Sequence, residues 1–430
     1  MSKPSAKTYE LPEENADETR AADYVAAYGK AAGKTRRPRQ KFKQTEVGMI
    51  PEDWEVTRID SFAAIKTGAR NTQDRKEDGI YPFFVRSQEV QSIDSYSFDT
   101  EAVLTAGDGV GTGKVFHYIA GRFDVHQRVY CIAEFSERLV GRYFFYQFSI
   151  RFFDRIMSMT AKSSVDSVRM EMIAGMLIPL PSPAEQCAIA AALSDVDGLL
   201  EALDRLIAKK RDLKKAAMQQ LLTGKHRLPG FTGKWETKRL GDLFVLRAGT
   251  SKGKYRREHG RYFIVDMGSI TREGKLSVSK MTDFEGDFLE TGELVMPKDD
   301  IGGGLIIGRT GYIDADHKYI LSDHVYALKL IEGDSKFLSF FINGYATNSS
   351  LRSKVTGSAQ LGISKKTVEE QVVSVPDPVE QGVIASILSD MDEEIAALES
   401  RREKTRLLKQ GMMQELLTGR IRLIEPEGAG

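Results

Sequence analysis

Two short segments have residue types that could do chemistry. Gly109-Val110-Gly111-Thr112-Gly113-Lys114 has the texture of a phosphate loop, where backbone N–H groups cradle a phosphate and a lysine meets its charge. Two departures argue against that use. Asp108 takes the place of the first glycine, and Val115 stands where a hydroxyl side chain would hold magnesium. Asp314-Ala315-Asp316-His317-Lys318 carries nuclease-like types, but ordinary surface turns carry them as often. There is no Asn/Asp-Pro-Pro-Tyr run of the kind that holds a flipped base for amino methylation. Nor does a Gly-rich loop follow a strand to bind a nucleotide cofactor. The expectation is a chain without a catalytic centre, metal or cofactor of its own.

The elements that position such residues are organised by a duplication. Pro181-Ser-Pro-Ala-Glu-Gln186 returns as Pro376-Asp-Pro-Val-Glu-Gln381, and Leu221-Leu-Thr-Gly224 returns as Leu416-Leu-Thr-Gly419. About half of the positions between these landmarks are identical at a constant offset of 195. Ahead of each copy, short apolar runs alternate with Gly, Asn and Asp turns, which is the pattern of strands. Phe83-Phe84-Val85, Ala102-Val103-Leu104 and Val129-Tyr130-Cys131-Ile132 are examples. Arg142–Met157 breaks the pattern, with Phe145, Phe148 and Phe152 at helical spacing, as are Phe144 and Phe148. That stripe reads as core. Trp54 and Trp235 open equivalent domains, and Arg86-Ser87-Gln88 aligns with Asp266-Met267-Gly268. The offset then grows, which places added residues between about Thr271 and Asp323.

After each domain comes a helical stretch. Ile189, Leu193, Val196, Leu200, Leu203 and Ile207 step by three and four residues, as do Ile384, Leu388, Met391, Ile395 and Leu398. This is a heptad seam for a partner helix. Two matching seams in one chain predict that the helices pair with each other, since tethering raises their effective concentration. Proline marks each entry, and Gly224 and Gly419 stand at C-cap positions. The reading is an α+β, pseudo-two-fold chain: extension 1–40, partly disordered; domain 41–180; helix 181–227; domain 228–375; helix 376–423; tail 424–430.

The bulk numbers fit this reading. A chain of 430 residues holds two to four domains. The 61 basic and 61 acidic residues cancel, so a basic DNA-binding face requires segregation. Arg247, Lys252, Lys254, Arg256, Arg257 and Arg261 cluster upstream of an acidic stretch from Asp283 to Asp300. Arg36-Arg37-Pro38-Arg39 reads as a solvated tail. Cys131 and Cys187, far apart, fit a reducing cytoplasm without disulfides. Neither a signal peptide nor a membrane span is expected.

Domain–helix–domain–helix, with Pro-x-Pro-x-Glu-Gln before each helix and Leu-Leu-Thr-Gly after it, resembles the specificity subunits of type I restriction–modification enzymes. Lys41–Trp54, Arg86-Ser87-Gln88 and His126-Gln127-Arg128-Val129-Tyr130 are similar to family segments, and the resemblance covers Lys41 to Leu423. It implies two target-recognition domains, each reading half of a bipartite, asymmetric duplex DNA target. It also implies two antiparallel spacer helices that set the gap. Partners would be two methyltransferase and two endonuclease/translocase subunits, which would hold S-adenosylmethionine, ATP and magnesium. A specificity subunit serving one fused methylase–nuclease polypeptide is the alternative.

On that reading, base contacts come from polar side chains on loops at strand ends. Arg and Lys can bond guanine, and Asn and Gln can bond adenine. The candidates are Arg70, Asn71, Arg86, Gln88, Lys114, His126, Gln127 and Arg128 in the first domain. In the second they are Lys252, Lys254, Arg256, Arg257, Arg309, Asp323, His324 and Gln360. Lys162, Ser163, Ser164, Lys365 and Lys366 are candidate phosphate contacts, which position rather than specify.

Overall fold

In the computed structural model, which describes residues 41–159, 167–300, 303–357 and 361–424, the apolar runs of the first domain become strands. β1 (Phe42–Thr45) and β2 (Gly48–Pro51) form a lead-in hairpin, followed by β3 (Glu55–Arg58). β4 (Ala64–Thr67), β5 (Tyr81–Phe84), β6 (Gln91–Ile93), β7 (Phe98–Ala106), β8 (Phe116–Val125) and β9 (Val129–Ala133) build one sheet in the order β4-β9-β7-β8-β5-β6. β5 runs parallel to β8, and the other pairs are antiparallel. The sheet curls until the chain beyond β4 reaches β8. Gly68 approaches so closely that a Cβ there would lie 1.8 Å from the Val125 carbonyl oxygen, so only glycine fits. Arg70 bridges His126 just beyond.

Helix α1 (Gly141–Ser158) covers this sheet, and α2 (Met170–Ala174) and β10 (Leu177–Leu180) return the chain to β3. Phe144, Phe148 and Phe152 are fully buried on successive turns, with Phe148 and Phe152 edge-on to Phe116 of β8 at 5.6 and 6.3 Å. Burying each ring contributes about 1.5–3 kcal/mol. The stripe is narrower than the spacing predicts: Phe145 is half-buried, at the edge of Tyr118.

After helix α3 (Pro183–Leu221), the second domain repeats the plan. β11 (Glu236–Arg239) and α4 (Leu240–Leu243) lead to β12 (Phe244–Ala248), β13 (Arg256–Arg257), β14 (Tyr262–Val265), β15 (Met281–Thr282), β16 (Leu294–Pro297), β17 (Asp299–Asp300), β18 (Gly311–Tyr312), β19 (Tyr319–Leu321) and β20 (Val325–Leu330). α5 (Ser335–Asn343), α6 (Tyr345–Arg352), β21 (Leu361–Gly362), α7 (Lys365–Glu369) and β22 (Val372–Val375) complete it before α8 (Pro378–Leu416). Two four-stranded sheets, β12-β20-β16-β18 and β13-β15-β14-β19, replace the single one. Gly249 repeats the close approach of Gly68: a Cβ would lie 2.1 Å from the Ser322 carbonyl oxygen. β14 lies parallel to β19 as β5 does to β8, and β11 pairs with β22 as β3 does with β10.

Two compact units result: residues 1–204 with 401–430, and residues 205–400. Each contains one domain and a segment of both long helices. Within the first unit α3 and α8 run antiparallel, with Lys409 on Asp197 at 2.5 Å and Arg402 on Asp204 at 2.9 Å. Within the second they also run antiparallel, with Arg211 on Glu399 and Lys214 on Asp392, both at 2.5 Å. These surface pairs fix register more than they stabilise. Ile189, Leu193 and Val196 of the α3 seam, and Ile384, Leu388 and Ile395 of the α8 seam, are buried. Arg402, which interrupts the second stripe, leans out to meet Asp204.

The recurring motifs prove to be joints. Gln186 accepts the Val140 N–H at 2.8 Å at the start of α1, and Gln381 likewise accepts the Asp334 N–H at 2.9 Å at the start of α5. Their amide N–H groups donate to the Pro181 and Pro376 carbonyl oxygens. Glu185, fully buried, accepts from Trp54 Nε1 at 3.0 Å and from Arg422 Nη2 at 2.6 Å. Glu380 receives both arms of Arg227, with Nε at 2.7 Å. Gly224 and Gly419 hold φ of +66° and +68°, the left-handed C-cap conformation.

Candidate nucleic-acid interface

Strand ends bring one group of candidates together in the first domain. Arg86 follows β5, Asp108 follows β7, and His126-Gln127-Arg128 links β8 to β9. Arg86 Nη1 donates to Asp108 Oδ1 at 2.8 Å, and Arg128 Nε lies 3.6 Å from Asp108 Oδ2. Asp108 thus holds two arginines from two different loops, and both guanidiniums stay largely exposed. Asn71 Oδ1 accepts from Gln127 Nε2 at 2.6 Å. Gln88 is exposed, and Lys114 is exposed with its ammonium 5.9 Å from the Phe153 ring centre. Gly107–Lys114 turns between two strands and opens no helix, which a phosphate loop requires.

Two first-domain candidates are turned inward. Arg70 Nε donates to the fully buried Asp124 at 3.1 Å and its Nη2 to Ser95 at 3.0 Å, so it satisfies a buried carboxylate. His126 is buried, with Nδ1 accepting the Arg128 N–H at 2.9 Å. Burial, then the nearby Arg86 charge, pulls its pKa below the usual histidine value.

In the second domain the acidic stretch folds back on the basic cluster. Arg247 pairs with Glu293 at 3.0 Å, Lys252 with Asp287 at 2.6 Å and Arg261 with Glu285 at 2.9 Å. Lys252 is therefore corrected as a base contact: it is buried, and its ammonium also bonds Thr250. Lys254, Arg256 and Arg257 remain exposed, and among the described residues none of them forms an ion pair. Arg309 is also turned inward, donating to the Asn343 carbonyl oxygen at the end of α5. His324 Nδ1 lies 2.7 Å from Asp299 Oδ2, and its Nε2 lies 3.7 Å from Asp323. Lys365 and Lys366 are exposed on α7, near Glu369 and Glu370 at 3.5 and 3.7 Å. Lys162, Ser163, Ser164 and Gln360 lie outside the described residues, as do residues 1–40.

Strand pairing also corrects the alignment of the two rims. The Phe84 carbonyl accepts from the His126 N–H, and the Val265 carbonyl accepts from the Ser322 N–H, both at 2.9 Å. Arg86 is thus equivalent to Met267, one residue later than the sequence alone suggests. A groove of about 320 Å3 in the second unit, lined by Lys214, Tyr312, Phe340 and Asp392, lies against the helices. Lys214 and Lys275 both pair there with Asp392, so its charges are largely matched within the scaffold. Among the described residues no cluster of His, Cys, Asp or Glu is arranged to hold a metal, and no helix is long and apolar enough to cross a membrane.

A duplicated α+β domain with polar strand-end loops, each copy followed by a long helix, is the repeating unit of the chain. The model of the type I restriction modification DNA specificity domain matches twice, at residues 51–209 and 232–408, and the chain belongs to that family. It is 24% identical over 417 residues to the MjaVIII specificity subunit of Methanocaldococcus jannaschii, covering 89% of this chain and 96% of that one. It is 30% identical over 176 residues to the EcoDI specificity subunit of Escherichia coli, which is 41% of this chain and 38% of that protein. The S subunit of M. genitalium shares the fold, with a TM-score of 0.64 at 17% identity over 88% of this chain and 98% of that one. The chain is a type I specificity subunit, and its role is DNA sequence recognition within a restriction–modification system.

Proposed function

We propose that each domain reads one half of a bipartite, asymmetric duplex target, and that α3 and α8 set the gap between the halves. The observation that carries this reading is one frame built twice with different side chains at its rim: Arg86, Gln127 and Arg128 in one copy, Met267, Asp323 and His324 in the other. Different side chains at equivalent places select different bases, so the two half-sites differ. The chain itself does no chemistry in this reading. Two methyltransferase subunits dock around the helices and two endonuclease/translocase subunits join them in the cytoplasm, bringing S-adenosylmethionine, ATP and magnesium.

Mapping of methylated sites in cells carrying the complete system, with and without this chain, tests the proposal. The expected result is one motif of two specified blocks around an unspecified gap, lost when the chain is absent. A single continuous motif overturns it.

A further inference from the structure

The two rims share one hydrogen-bonding plan. The Gly107 N–H donates to the Arg128 carbonyl at 2.7 Å, and the Lys298 N–H donates to the His324 carbonyl at 2.9 Å. The Val168 N–H donates to the Gly107 carbonyl, and the Ile363 N–H to the Lys298 carbonyl. These matched bonds make Asp108 equivalent to Asp299, and Arg128 equivalent to His324. In both domains an aspartate just past a central strand pairs with the basic side chain at the tip of the neighbouring loop, 3.6 Å from Arg128 Nε and 2.7 Å from His324 Nδ1. The pairing leaves different groups free. Arg128 approaches Asp108 through Nε at 3.6 Å, an ion pair rather than a hydrogen bond, so its Nη groups are not used by Asp108. His324 meets Asp299 through Nδ1, which must carry the proton because a carboxylate only accepts. Nε2 is left at the outer edge, with the Asp323 carboxylate 3.7 Å away as an acceptor beside it.

We propose that Asp108 and Asp299 are positioning residues of the two rims. Asp108 aims Arg128 at the O6 and N7 of a guanine in the first half-site. Asp299 aims the Nε2 edge of His324, together with the Asp323 carboxylate beside it, at an exocyclic base amino group in the second. This rests on the reading above that each domain binds one half-site. The charge balance fits it: two arginines around one aspartate leave a donor-rich, positive first rim, whereas His324 between Asp299 and Asp323 leaves an acceptor-rich second rim. Restricting a long side chain before binding lowers the ordering cost at the base.

The test uses the full chain assembled with its methyltransferase subunits and duplexes carrying the mapped target. Each guanine of the first half-site is replaced in turn by 7-deazaguanine, which keeps base pairing and removes the N7 acceptor. One position should weaken binding roughly tenfold. In the second half-site each adenine is replaced in turn by purine and each cytosine by 2-pyrimidinone, which lack the exocyclic amino group, and one position should weaken binding. Asp108→Asn should shrink the first penalty several-fold and leave the second unchanged, and Asp299→Asn should do the reverse. Arg128→Met, which keeps the length and loses every donor, should remove the first penalty if Asp108→Asn fails to fold. A merely structural role would weaken all duplexes alike, and that outcome overturns the proposal. So does a first half-site without guanine, or an unchanged penalty in Asp108→Asn. A mapped target lacking two blocks removes the underlying reading as well, which separates the two failures.

Discussion

The joint that closes the first unit and the one that closes the second share a glutamate, a tryptophan and an arginine, yet they are not equally complete. In the first, Glu185 takes the Trp54 N–H and the Arg422 guanidinium, and Arg422 also reaches Asp53 at 2.8 Å. In the second, Glu380 takes Arg227, but Lys234 stands where Asp53 would be. There Arg227 bonds the Gly233 carbonyl instead, and Trp235 Nε1 has no hydrogen-bond partner among the described residues. Arg422 is 7% exposed as a side chain and Arg227 22%. One acidic residue therefore separates a buried Glu185–Arg422 pair that also reaches the half-exposed Asp53 from a Glu380–Arg227 pair whose arginine is partly solvated. A repeated motif fixes where a joint forms, and the residues around it decide how firmly it closes.

Removing the arginines should break the comparison most visibly. Arg422→Ala leaves Glu185 charged, buried and without its cation, which costs about 3–5 kcal/mol. Arg227 is more exposed, so Arg227→Ala should open a path for water to the buried Glu380 and cost less. Thermal unfolding of the full-length variants measures the gap, and equal losses would show that Asp53 adds nothing.

The C-cap glycines sharpen the contrast at smaller scale. An L side chain at either φ costs about 1–2 kcal/mol. At Gly419 a Cβ would also meet Pro51 at 2.5 Å, whereas at Gly224 its nearest contact is the Trp235 ring at 3.1 Å. Gly419→Ala should therefore destabilise more than Gly224→Ala in denaturant titration.

The smallest expected effect is one of pH. His117 is buried against Phe84, with Nε2 3.0 Å from the Ser87 carbonyl, and burial lowers its pKa below 6.5. The unfolded chain then binds this proton first as pH falls, so the contribution is complete above about pH 6.5. It is lost as pH drops through the depressed folded value. His117→Gln should flatten the pH dependence of the first unit's melting between pH 7 and 5, and an unchanged slope would assign that dependence elsewhere.

Elements with a local signal were legible in the sequence. Paired prolines, heptad steps and C-cap glycines placed both long helices, and Phe144, Phe148 and Phe152 marked the face α1 buries. The joints were not legible, because Glu185 and its partner Arg422 lie 237 residues apart and nothing local pairs them. Lys252 looked like one of six clustered cations, but Asp287 folds back to claim it. Asp108 and Asp299 were missed for a related reason. The offset between the halves is 181 at Phe84 and Val265, 191 at Asp108 and Asp299, and 196 at Arg128 and His324. Insertions on both sides hide an equivalence that only the strand hydrogen bonds reveal.

The Arg422 joint also bears on the order of synthesis. At roughly 5–20 residues per second, Arg422 is made some ten to fifty seconds after Glu185. Throughout that interval Glu185 and Trp54 have no guanidinium to close on, and the α3 seam beside them lacks Met412 and Leu416. The second domain has its own Arg227 and Glu380 in hand before then. The domain that leaves the ribosome first is thus completed last.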